Sequence, residues 1–361
     1  MDIQQQGQYN VSHLQTASSI LVIGAGGIVQ SAHLPAYQLA GFSVKGIYDI
    51  DAAKAAGTAA TFGIPKWYST LKELLQDADN NNTVIDIAIP AAGIIEVLEQ
   101  LPDGVSVLIQ KPMGETLQKA KEILQLCRKK NLNAGVNFQL RYAPFIIAAR
   151  NMIDKGLLGE LCDIEVNVNV YTPWHLWEFL FSLPRVEILY HSIHYIDLVR
   201  SFLGNPSGIY AKTVKHPDMM QLASVRSNII MDYGDRIRAN ILTNHAHKFG
   251  LHNQQSYIKF EGTKGAIKIK MGLLMDYPKG VPDEFDYILF DDENKSEWKQ
   301  LKIEGSWFPH AFIGSMAEIL KSQNGEIARP DNSVEDCIFT MACVEAAYQS
   351  SETGMQKNGY K

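Results

Sequence analysis

The sequence predicts an α/β protein of two domains: a doubly wound parallel sheet, then an α+β domain with an open, mainly antiparallel sheet. Three observations carry this prediction. The 361 residues are too many for one ordinary hydrophobic core. Up to residue 140, short apolar strands alternate with helical segments, which is typical of parallel sheets. After residue 160, long stretches alternate in polarity with period two, which indicates half-buried antiparallel strands.

A glycine turn follows the first predicted strand, residues 20–23. Three glycines stand in this turn: Gly24, Gly26 and Gly27. The first permits a tight turn, and the second lets the backbone approach a pyrophosphate, which binds the free N–H groups at a helix start. Ile28 belongs to that helix, predicted over 27–40, and is expected to line the same site. Val29 occupies the third fingerprint position, where glycine or alanine is usual, so the motif is imperfect.

An acidic residue closes the second predicted strand, residues 43–48. Asp49 follows this strand, twenty-five positions after Gly24. A carboxylate at this place accepts a hydrogen bond from a ribose 2′-hydroxyl and repels a 2′-phosphate. The order of strand, turn, helix, strand and acid therefore predicts a Rossmann domain over residues 17–140 that binds NAD, with NADP less favoured.

The alternation of strands and helices continues to residue 138. The predicted strands cover residues 83–89, 105–110 and 133–138, and the predicted helices cover 51–61, 69–76, 92–101 and 115–130. Pro90 follows one strand, while Gln110 and Lys111 close the next. Because ligands bind at the carboxyl ends of strands in such sheets, these three residues are expected to contact the cofactor. Pro112 fixes the chain beyond Lys111.

Residues 141–361 form the predicted second domain, which binds substrate and joins copies of the chain. Its strands are predicted at 162–171, 209–216, 224–233, 236–245, 255–262, 265–272 and 286–291, and its helices at 144–155, 186–204, 311–323 and 333–354. The last helix is free to pack back on the first domain. Helices cover one face of the sheet, so the open face is expected to pair with a second copy in a homodimer or homotetramer.

Several titratable side chains lie close to one face of the helix predicted over 186–204. They are Tyr190, His191, His194 and Asp197, and residues three or four apart are neighbours on a helix. The remaining positions are largely apolar. Imidazole is the side chain best matched to proton transfer near neutral pH. The helix is therefore a candidate for catalysis.

Taken together, these motifs resemble the glucose–fructose oxidoreductase / inositol dehydrogenase (Gfo/Idh/MocA) family over nearly the whole chain. "IGAGGIVQSAHLPAY" resembles its dinucleotide loop, "VLIQKPMGET" its E-K-P signature and "NFQLRYAP" its Asn-x-x-x-Arg-x-x-Pro segment. "YHSIHYIDLVRSFLG" resembles its catalytic helix, and "FEGTKGAI" and "ARPDNSVEDCIFTMACVEAAYQSSETG" resemble a sheet hairpin and the closing helix. The resemblance implies NAD(P)-dependent oxidation or reduction of a hydroxyl carbon in a sugar, cyclitol or related polyol.

The resemblance also assigns site residues. It implies that Lys111 and His194 are catalytic, while Gln110 replaces the glutamate of the signature. Tyr190 stands where the family usually has aspartate. A phenol can donate to or orient a hydroxyl but supplies no fixed charge, so either Tyr190 or His194 could carry the proton. The residues that the resembled fold places toward the substrate are Arg141, Trp174, His175, Asn244, His245, Trp307 and His310.

A metal site is not predicted. His191 and His194 are three apart on the helix, and His245 and His247 could add ligands, but no acidic partner stands in a supporting motif. His191 is expected instead to be structural or to support a catalytic side chain, and Asp197 is expected to orient His194 or to cap a contact.

Composition argues against several classes of protein. The formal net charge of -6 offers no basic surface for nucleic acid. No apolar run reaches the ~18 residues of a membrane span, and the polar residues 1–18 lack the apolar segment of a signal peptide. The four cysteines, Cys127, Cys162, Cys337 and Cys343, show no CxxC pairing. These features predict reduced thiols and a cytoplasmic location.

Two alternative functions stay open. A regulator could bind NAD and a sugar without turnover, although the presence of both Lys111 and His194 disfavours it. An NAD-dependent lyase or hydrolase could activate a C–O bond through transient oxidation, and Tyr190 in the place of aspartate keeps this alternative open. The sequence identifies neither the sugar nor the direction of the reaction.

Overall fold

The computed structural model describes residues 11–14, 18–79, 82–290 and 296–354. Among these, residues 11–143 and 307–341 form one compact unit, the parallel-sheet unit. Residues 144–306 and 342–354 form the other, the mixed-sheet unit. Sequence patterns assigned 307–341 to the second domain, whereas in the structure these residues group with the parallel sheet. Most of the polar segment 1–18 and the end of the strand predicted over 286–291 lie outside the described residues.

Six parallel strands build the first sheet, in the order β3-β2-β1-β4-β5-β6. The strands are β1 (Ser19–Ile23), β2 (Ser43–Tyr48), β3 (Lys66–Tyr68), β4 (Thr83–Ile87), β5 (Ser106–Ile109) and β6 (Asn133–Val136). This order is that of the doubly wound dinucleotide-binding fold, so the predicted Rossmann domain is confirmed. Sequence patterns missed β3, because this edge strand has three residues and the first two are exposed.

The second sheet has eight strands among the described residues, in the order β14-β13-β12-β11-β7-β10-β9-β8. The strands are β7 (Leu161–Asn169), β8 (Gly208–Val214), β9 (Arg226–Asp232), β10 (Arg238–Asn244), β11 (Gln255–Gly262), β12 (Gly265–Lys270), β13 (Glu284–Leu289) and β14 (Lys299–Gln300). Only the described pair β7 and β10 runs parallel. The predicted mainly antiparallel sheet is therefore confirmed, with the two-residue strand β14 in addition.

Nine α-helices of four residues or more are described. They are α1 (Leu34–Ala40), α2 (Ala52–Phe62), α3 (Leu71–Gln76), α4 (Ile94–Gln100), α5 (Leu117–Lys129), α6 (Pro144–Asp154), α7 (Ile193–Leu203), α8 (His310–Gln323) and α9 (Val334–Thr353). Local sequence sets their starts: Asp51 accepts from two backbone N–H groups of α2, and Thr70 with Glu73 forms a capping box on α3. None of the described helices is long and apolar enough to cross a membrane.

Two π-helical turns interrupt helices that sequence patterns predicted as continuous. Val29–His33 precedes α1, and Ile188–Ser192 precedes α7. A π turn closes its hydrogen bonds five residues apart rather than four, and such turns occur frequently at functional sites. Tyr190 and His191 lie within the second π turn, whereas His194 and Asp197 lie in α7 beyond it. The α-helical spacing on which the prediction of one shared face rests therefore does not relate the two pairs.

Period-two alternation accounts for the core of the mixed-sheet unit. Ile164, Val166 and Val168 of β7 are fully buried, while the residues between them are mostly half-buried. The neighbouring strands repeat this pattern, and α7 packs against β10. Each fully buried aliphatic side chain contributes about 1.5–3 kcal/mol relative to an exposed one. The opposite face keeps exposed apolar side chains, among them Tyr210 and Ile230.

Candidate active site

The dinucleotide loop begins with a glycine that no other residue could replace without strain. Gly24 has φ +107°, and a Cβ there would lie 2.4 Å from the carbonyl oxygen of Ala88. Its N–H donates to Tyr48 O at 2.7 Å, which joins the end of β1 to the end of β2. The chain therefore turns tightly at the carboxyl edge of the parallel sheet, as the glycine motif predicts.

Gly26 and Gly27 have no such steric reason to be glycine. Neither has a positive φ in the left-handed region, and a Cβ at either position would meet nothing within 4 Å. The space in front of the helix start is therefore open, and side chains at positions 26 and 27 would occupy it. A pyrophosphate needs this close approach to backbone N–H groups. The loop fits the phosphate part of a dinucleotide.

Asp49 is held at the end of β2 by the loop itself. Its Oδ2 accepts from the N–H of Ala25 at 2.7 Å, and its Oδ1 accepts from the N–H of Asp51 at 2.9 Å. The side chain is half-buried. A carboxylate has about four lone-pair sites, so capacity remains for ribose hydroxyls. Fixed at the end of β2, the carboxylate fits the ribose of NAD.

Gln110 and Lys111 follow β5 at the same edge of the sheet. Gln110 is buried, and its Oε1 accepts from the N–H of Lys111 at 2.9 Å. The Lys111 side chain is half-buried, and desolvation lowers its pKa from the ordinary value to about 8. Pro90 is exposed directly beyond β4 and Ile89, and Ile28 packs partly against the core of the unit. The structure thus brings the predicted cofactor residues to neighbouring strand ends.

A fully buried histidine lies behind this edge, and sequence patterns did not indicate it. His33 Nδ1 lies 2.7 Å from Asp86 Oδ2, and the same carboxylate oxygen accepts from the hydroxyl of Tyr37 at 2.7 Å. His33 Nε2 lies 3.4 Å from Gln110 Nε2 and 3.3 Å from Asn137 Nδ2. A signal was present: Asp86 interrupts the apolar strand "TVIDIAI", and a buried carboxylate requires partners.

Three residues predicted to bind substrate also belong to the parallel-sheet unit. Arg141 is nearly buried, and its guanidinium donates to Asp336 Oδ2 at 2.6 Å and to Asp331 O at 2.9 Å. Trp307 is buried, and His310 begins α8, where desolvation lowers its pKa below the ordinary value. The guanidinium of Arg141 is therefore already engaged in holding its own unit together.

The residues of the candidate catalytic helix lie in the mixed-sheet unit. His194 stands in the first turn of α7 and is 7% exposed, and Asp197 in the next turn is fully buried. Tyr190 and His191 belong to the π turn and are half-buried. The ring of Tyr190 packs edge-on against Phe179, with centroids 5.8 Å apart. The pair in the π turn is therefore more exposed than the pair in α7, which the prediction of one shared face did not anticipate.

Three rings form a cluster in the same unit, which we call the Trp174 cluster: Trp174, His191 and His245. The two histidine rings are 4.3 Å apart, and the Trp174 ring meets them edge-on at 5.0 and 5.5 Å. The structure thus brings the predicted residues Trp174 and His245 together. His245 is fully buried, and its Nδ1 lies 2.8 Å from the hydroxyl of Thr172. The His245 ring is therefore buried and fixed by neighbouring side chains, which its position at the end of a predicted strand did not indicate.

Glu187 is the second group that sequence patterns missed. It is fully buried, accepts from the hydroxyls of Ser192 at 2.7 Å and of Ser227, and lies 3.4 Å from His245 Nε2. Burial alone would raise its pKa, but the neighbouring imidazole of His245 and the two serine hydroxyls outweigh burial and hold the pKa below the ordinary value. The Trp174 cluster therefore rests on a buried carboxylate.

The last two predicted substrate residues do not join this cluster. The amide of Asn244 donates to Asn169 Oδ1 at 2.9 Å and accepts from the N–H of Ala246 at 3.1 Å, so both ends of the side chain are engaged. His175 directly follows Trp174 in the sequence and is exposed, whereas the ring contacts of Trp174 are to His191 and His245.

Comparison with known proteins agrees with this geometry. The Gfo/Idh/MocA profile for the oxidoreductase family, NAD-binding Rossmann fold, matches residues 18–138. The companion profile for the C-terminal alpha/beta domain of the same oxidoreductase family matches residues 150–358. The two matches leave few described residues uncovered. The parallel-sheet unit thus carries the NAD-binding Rossmann domain of a known family.

Individual relatives match this chain over most of their own length. A 1,5-anhydro-D-fructose reductase from Ensifer adhaerens is 25% identical over 92% of this chain and 96% of its own. A D-apiose dehydrogenase from Rhizobium rhizogenes is 23% identical over 87% and 89% of the two chains. An oxidoreductase from Agrobacterium radiobacter, solved with NAD+, L-tartaric acid and magnesium, superposes with a TM-score of 0.77 at 20% identity, covering 94% of this chain and 98% of its own. This protein is therefore a member of the Gfo/Idh/MocA oxidoreductase family.

Proposed function

We propose that the protein is an NAD-dependent oxidoreductase that transfers a hydride between nicotinamide and a hydroxyl carbon of a sugar, cyclitol or related polyol. The proposal depends most on the position and the lowered pKa of Lys111. Lys111 lies at a strand end in the unit that holds the dinucleotide loop, and its pKa of about 8 suits proton exchange near neutral pH. The relatives named as a fructose-derivative reductase and an apiose dehydrogenase support a sugar-like substrate.

In the proposed reaction the protein must transfer the proton of the substrate hydroxyl and orient the oxygen of that hydroxyl. The bound nicotinamide supplies the hydride acceptor in oxidation and the hydride donor in reduction. Neutral Lys111 accepts the hydroxyl proton in oxidation, and its ammonium form donates a proton to the carbonyl oxygen in reduction. We assign His194 and Tyr190 to the same reaction, with one of them sharing the proton and the other orienting the oxygen. Hydride and proton together balance the conversion of an alcohol to a carbonyl.

NAD rather than NADP is the proposed cofactor. Asp49 is fixed by two backbone N–H groups, and Asp51 follows two residues later. The Asp49 carboxylate, held at the ribose end, would repel a 2′-phosphate. Substrate contacts are proposed for Trp174 and His310, while Arg141, Asn244, His245 and Trp307 are proposed to shape the substrate site with their side chains already held in place.

The proposal also includes a homodimer or homotetramer that forms through the open face of the mixed sheet. Tyr210, Ile230 and Leu242 from three adjacent strands are 64%, 51% and 41% exposed. Register places them on one face, because Tyr210 pairs with Ile230, and Ile230 pairs with the residue two before Leu242. A contiguous apolar surface of this kind supports an interface. A reducing compartment such as the cytoplasm is proposed for the four cysteines.

A substrate screen tests the proposal. Purified protein is mixed with NAD or NADP and a panel of sugars, cyclitols and polyols, and the absorbance of the reduced cofactor is followed. We expect turnover with NAD and at least one polyol, and loss of turnover in Lys111→Ala. NAD binding without turnover on any substrate would favour the regulator instead. A product formed without accumulation of reduced cofactor would favour the lyase or hydrolase, which Tyr190 in the place of aspartate keeps as the second candidate.

A further inference from the structure

We propose that Asp86, His33 and Gln110 form a chain of hydrogen bonds with one fixed proton order, and that this chain positions Lys111 for the proposed reaction. The proposal rests on the assignment of Lys111 as the catalytic lysine. Asp86, His33 and Gln110 are positioning residues, because they act on Lys111 through its backbone N–H. All four lie in the parallel-sheet unit.

The chain begins at Asp86 in the centre of the parallel sheet. The residue is fully buried, and its Oδ2 accepts from the hydroxyl of Tyr37 at 2.7 Å and lies 2.7 Å from His33 Nδ1. Burial, followed by the charge and hydrogen bond of Asp86, raises the pKa of Tyr37 well above its ordinary value, so the phenol stays a donor. An ionised carboxylate only accepts hydrogen bonds. The proton between Asp86 and His33 therefore resides on Nδ1.

The second step follows from the tautomer of the imidazole. When Nδ1 carries the proton of a neutral ring, Nε2 is an acceptor. Nε2 faces two amide nitrogens, Asn137 Nδ2 at 3.3 Å and Gln110 Nε2 at 3.4 Å, and an amide NH₂ only donates. Both contacts therefore require the acceptor at Nε2 that Asp86 imposes from the other side of the ring.

The third step carries this order to Lys111. Because the NH₂ group of Gln110 is turned toward His33, its Oε1 points the other way and accepts from the N–H of Lys111 at 2.9 Å. The ring of Phe312 covers the His33 ring at a centroid distance of 4.9 Å, and His33 is fully buried. Water cannot readily exchange for any partner in such a place, so each link has one orientation. The amide at position 110 joins an acceptor ring to a donor N–H, which a carboxylate cannot do.

Two substitutions can move the carboxylate from residue 86 to residue 110 and so reverse the order of donors and acceptors along these hydrogen bonds. Gln110→Glu sets a second carboxylate against Nε2, which forces either two facing acceptors or a buried imidazolium between two anions. Asp86→Asn alone removes the group that fixes the tautomer. The double substitution Asp86→Asn/Gln110→Glu restores one carboxylate and reverses the order: residue 86 donates to Nδ1, and Nε2–H donates to residue 110. The two flanking groups follow the reversal: the amide of Asn137 turns its Oδ1 toward Nε2–H, and the hydroxyl of Tyr37 accepts from residue 86. The free oxygen of residue 110 still accepts from Lys111 N–H.

A double-mutant cycle tests the chain. Both single variants are expected to lose kcat by about tenfold or more, with smaller changes in KM and in NAD affinity, because Lys111 is displaced rather than removed. The double variant is expected to recover about tenfold over the worse single variant, in kcat and in the unfolding equilibrium constant of the protein without NAD. The control pair is Asp86→Asn/Gln139→Glu, since Gln139 is also buried but is not part of the hydrogen-bonded series; no recovery is expected there. Effects that multiply, with no recovery in the double variant, would overturn the proposal.

A second measurement stands even if a variant fails to fold. Imidazole ¹⁵N chemical shifts of the wild-type protein separate protonated from unprotonated ring nitrogens, and His33→Gln identifies the His33 signals. We expect Nδ1 protonated and Nε2 unprotonated at pH 7. An Nε2–H tautomer or an imidazolium would overturn the chain. This result does not depend on turnover, so it is distinguishable from failure of the proposed function, which would show as full turnover in Lys111→Ala.

Discussion

At the scale of single residues, burial changes the pKa of Lys111, the residue that we propose exchanges the proton. A solvated lysine keeps its proton far above neutral pH, but desolvation lowers the pKa of Lys111 to about 8. The neighbouring amide of Gln110 fixes the backbone of Lys111 rather than its charge. The lowered pKa therefore arises from the surroundings, which sequence patterns indicate only through the strand that precedes the residue.

The first prediction concerns the pH dependence of this group. In the oxidation direction the neutral amine is the reactive form, so kcat/KM is expected to rise as the pH rises through about 8 and then level off. In the reduction direction the ammonium is reactive, so kcat/KM is expected to fall through the same range. Lys111→Ala is expected to lose ~10²–10⁴ in rate while retaining NAD. A wild-type profile with no inflection near pH 8 in either direction would contradict the assignment.

The second prediction concerns Glu187 beneath the Trp174 cluster. Its folded pKa lies below the ordinary value, so between the folded and unfolded pKa values only the unfolded chain binds the proton. The stabilisation is therefore present above the unfolded pKa of about 4.3 and is lost as the pH falls through the folded value. Glu187→Gln should lower the free energy of unfolding at pH 7 by about 1–3 kcal/mol, and by less in acid.

Denaturant unfolding at several pH values measures this difference. The exposed Glu160→Gln serves as the control and should change the free energy of unfolding by less than about 0.5 kcal/mol. A destabilisation by Glu187→Gln that stays constant down to pH 3 would mean that the carboxylate charge is not what stabilises the network.

At the scale of elements, the π turn Ile188–Ser192 divides the titratable residues of the candidate catalytic helix into two pairs of different exposure. It leaves Tyr190 and His191 half-buried ahead of α7, whereas His194 and Asp197 are buried within it. Periodicity gives the helix and its apolar character correctly. It cannot give the π turn, because one additional residue in a turn leaves no mark on an apolar pattern that is nearly continuous here.

The third prediction separates the roles on this helix. His194→Ala should lose ~10²–10⁴ in turnover, as expected for a member of a proton-transfer pair. His191→Ala should affect the free energy of unfolding more than turnover, because the His191 ring lies 4.3 Å from His245 within the Trp174 cluster. Tyr190→Phe should lose as much as His194→Ala if the phenol carries the proton, and less if it orients the oxygen. Steady-state rates with NAD affinity as a control distinguish these cases; a dead His191→Ala with an active His194→Ala would reverse the assignment.

The fourth prediction concerns the dinucleotide loop. A Cβ at Gly26 meets nothing within 4 Å, so Gly26→Ala should fold normally, yet its methyl group would occupy the space proposed for the pyrophosphate. NAD affinity should fall by about tenfold or more, which is about 1.4 kcal/mol. Gly57→Ala is the matched control: a Cβ there also meets nothing, and in the interior of α2 it should stabilise the protein by up to about 1 kcal/mol without affecting NAD. Calorimetric titration with NAD compares the two, and equal affinities would remove the loop from the cofactor site.

Sequence patterns predict most elements of this fold because their periods are strong. The strands 43–48 and 255–262 were predicted with the bounds that the structure has, and the glycine turn, Asp49 and Lys111 stand at the predicted sheet edge. What escaped prediction depends on tertiary contacts. His33 contacts Asp86, and Glu187 contacts His245. The members of each pair are more than fifty residues apart in the sequence, so no local pattern connects them. The edge strand β3 and the two-residue β14 are too short for a period to appear.

At the scale of the whole molecule, the fifth prediction concerns the open face of the mixed sheet. Light scattering at micromolar concentration should give a mass of two or four times 40.3 kDa. Ile230→Asp should shift the protein toward the monomer, because it introduces a charge among the exposed apolar residues of β8, β9 and β10. Phe249→Asp, at a residue that is 75% exposed outside these strands, is the control and should not change the mass. A wild-type mass of one chain would contradict the predicted oligomer.

The most direct test of the central claim follows the hydrogen that is transferred. A substrate found in the screen is prepared with deuterium on the reacting carbon and incubated with NAD, and the reduced cofactor is isolated and weighed by mass spectrometry. Transfer as a hydride predicts that each reduced cofactor gains one deuterium and that none comes from solvent in the reciprocal experiment in D₂O. Reduced cofactor that lacks the substrate's deuterium, or product that forms with no reduced cofactor at all, would contradict the assignment of this chain as an NAD-dependent oxidoreductase of sugar or polyol hydroxyls.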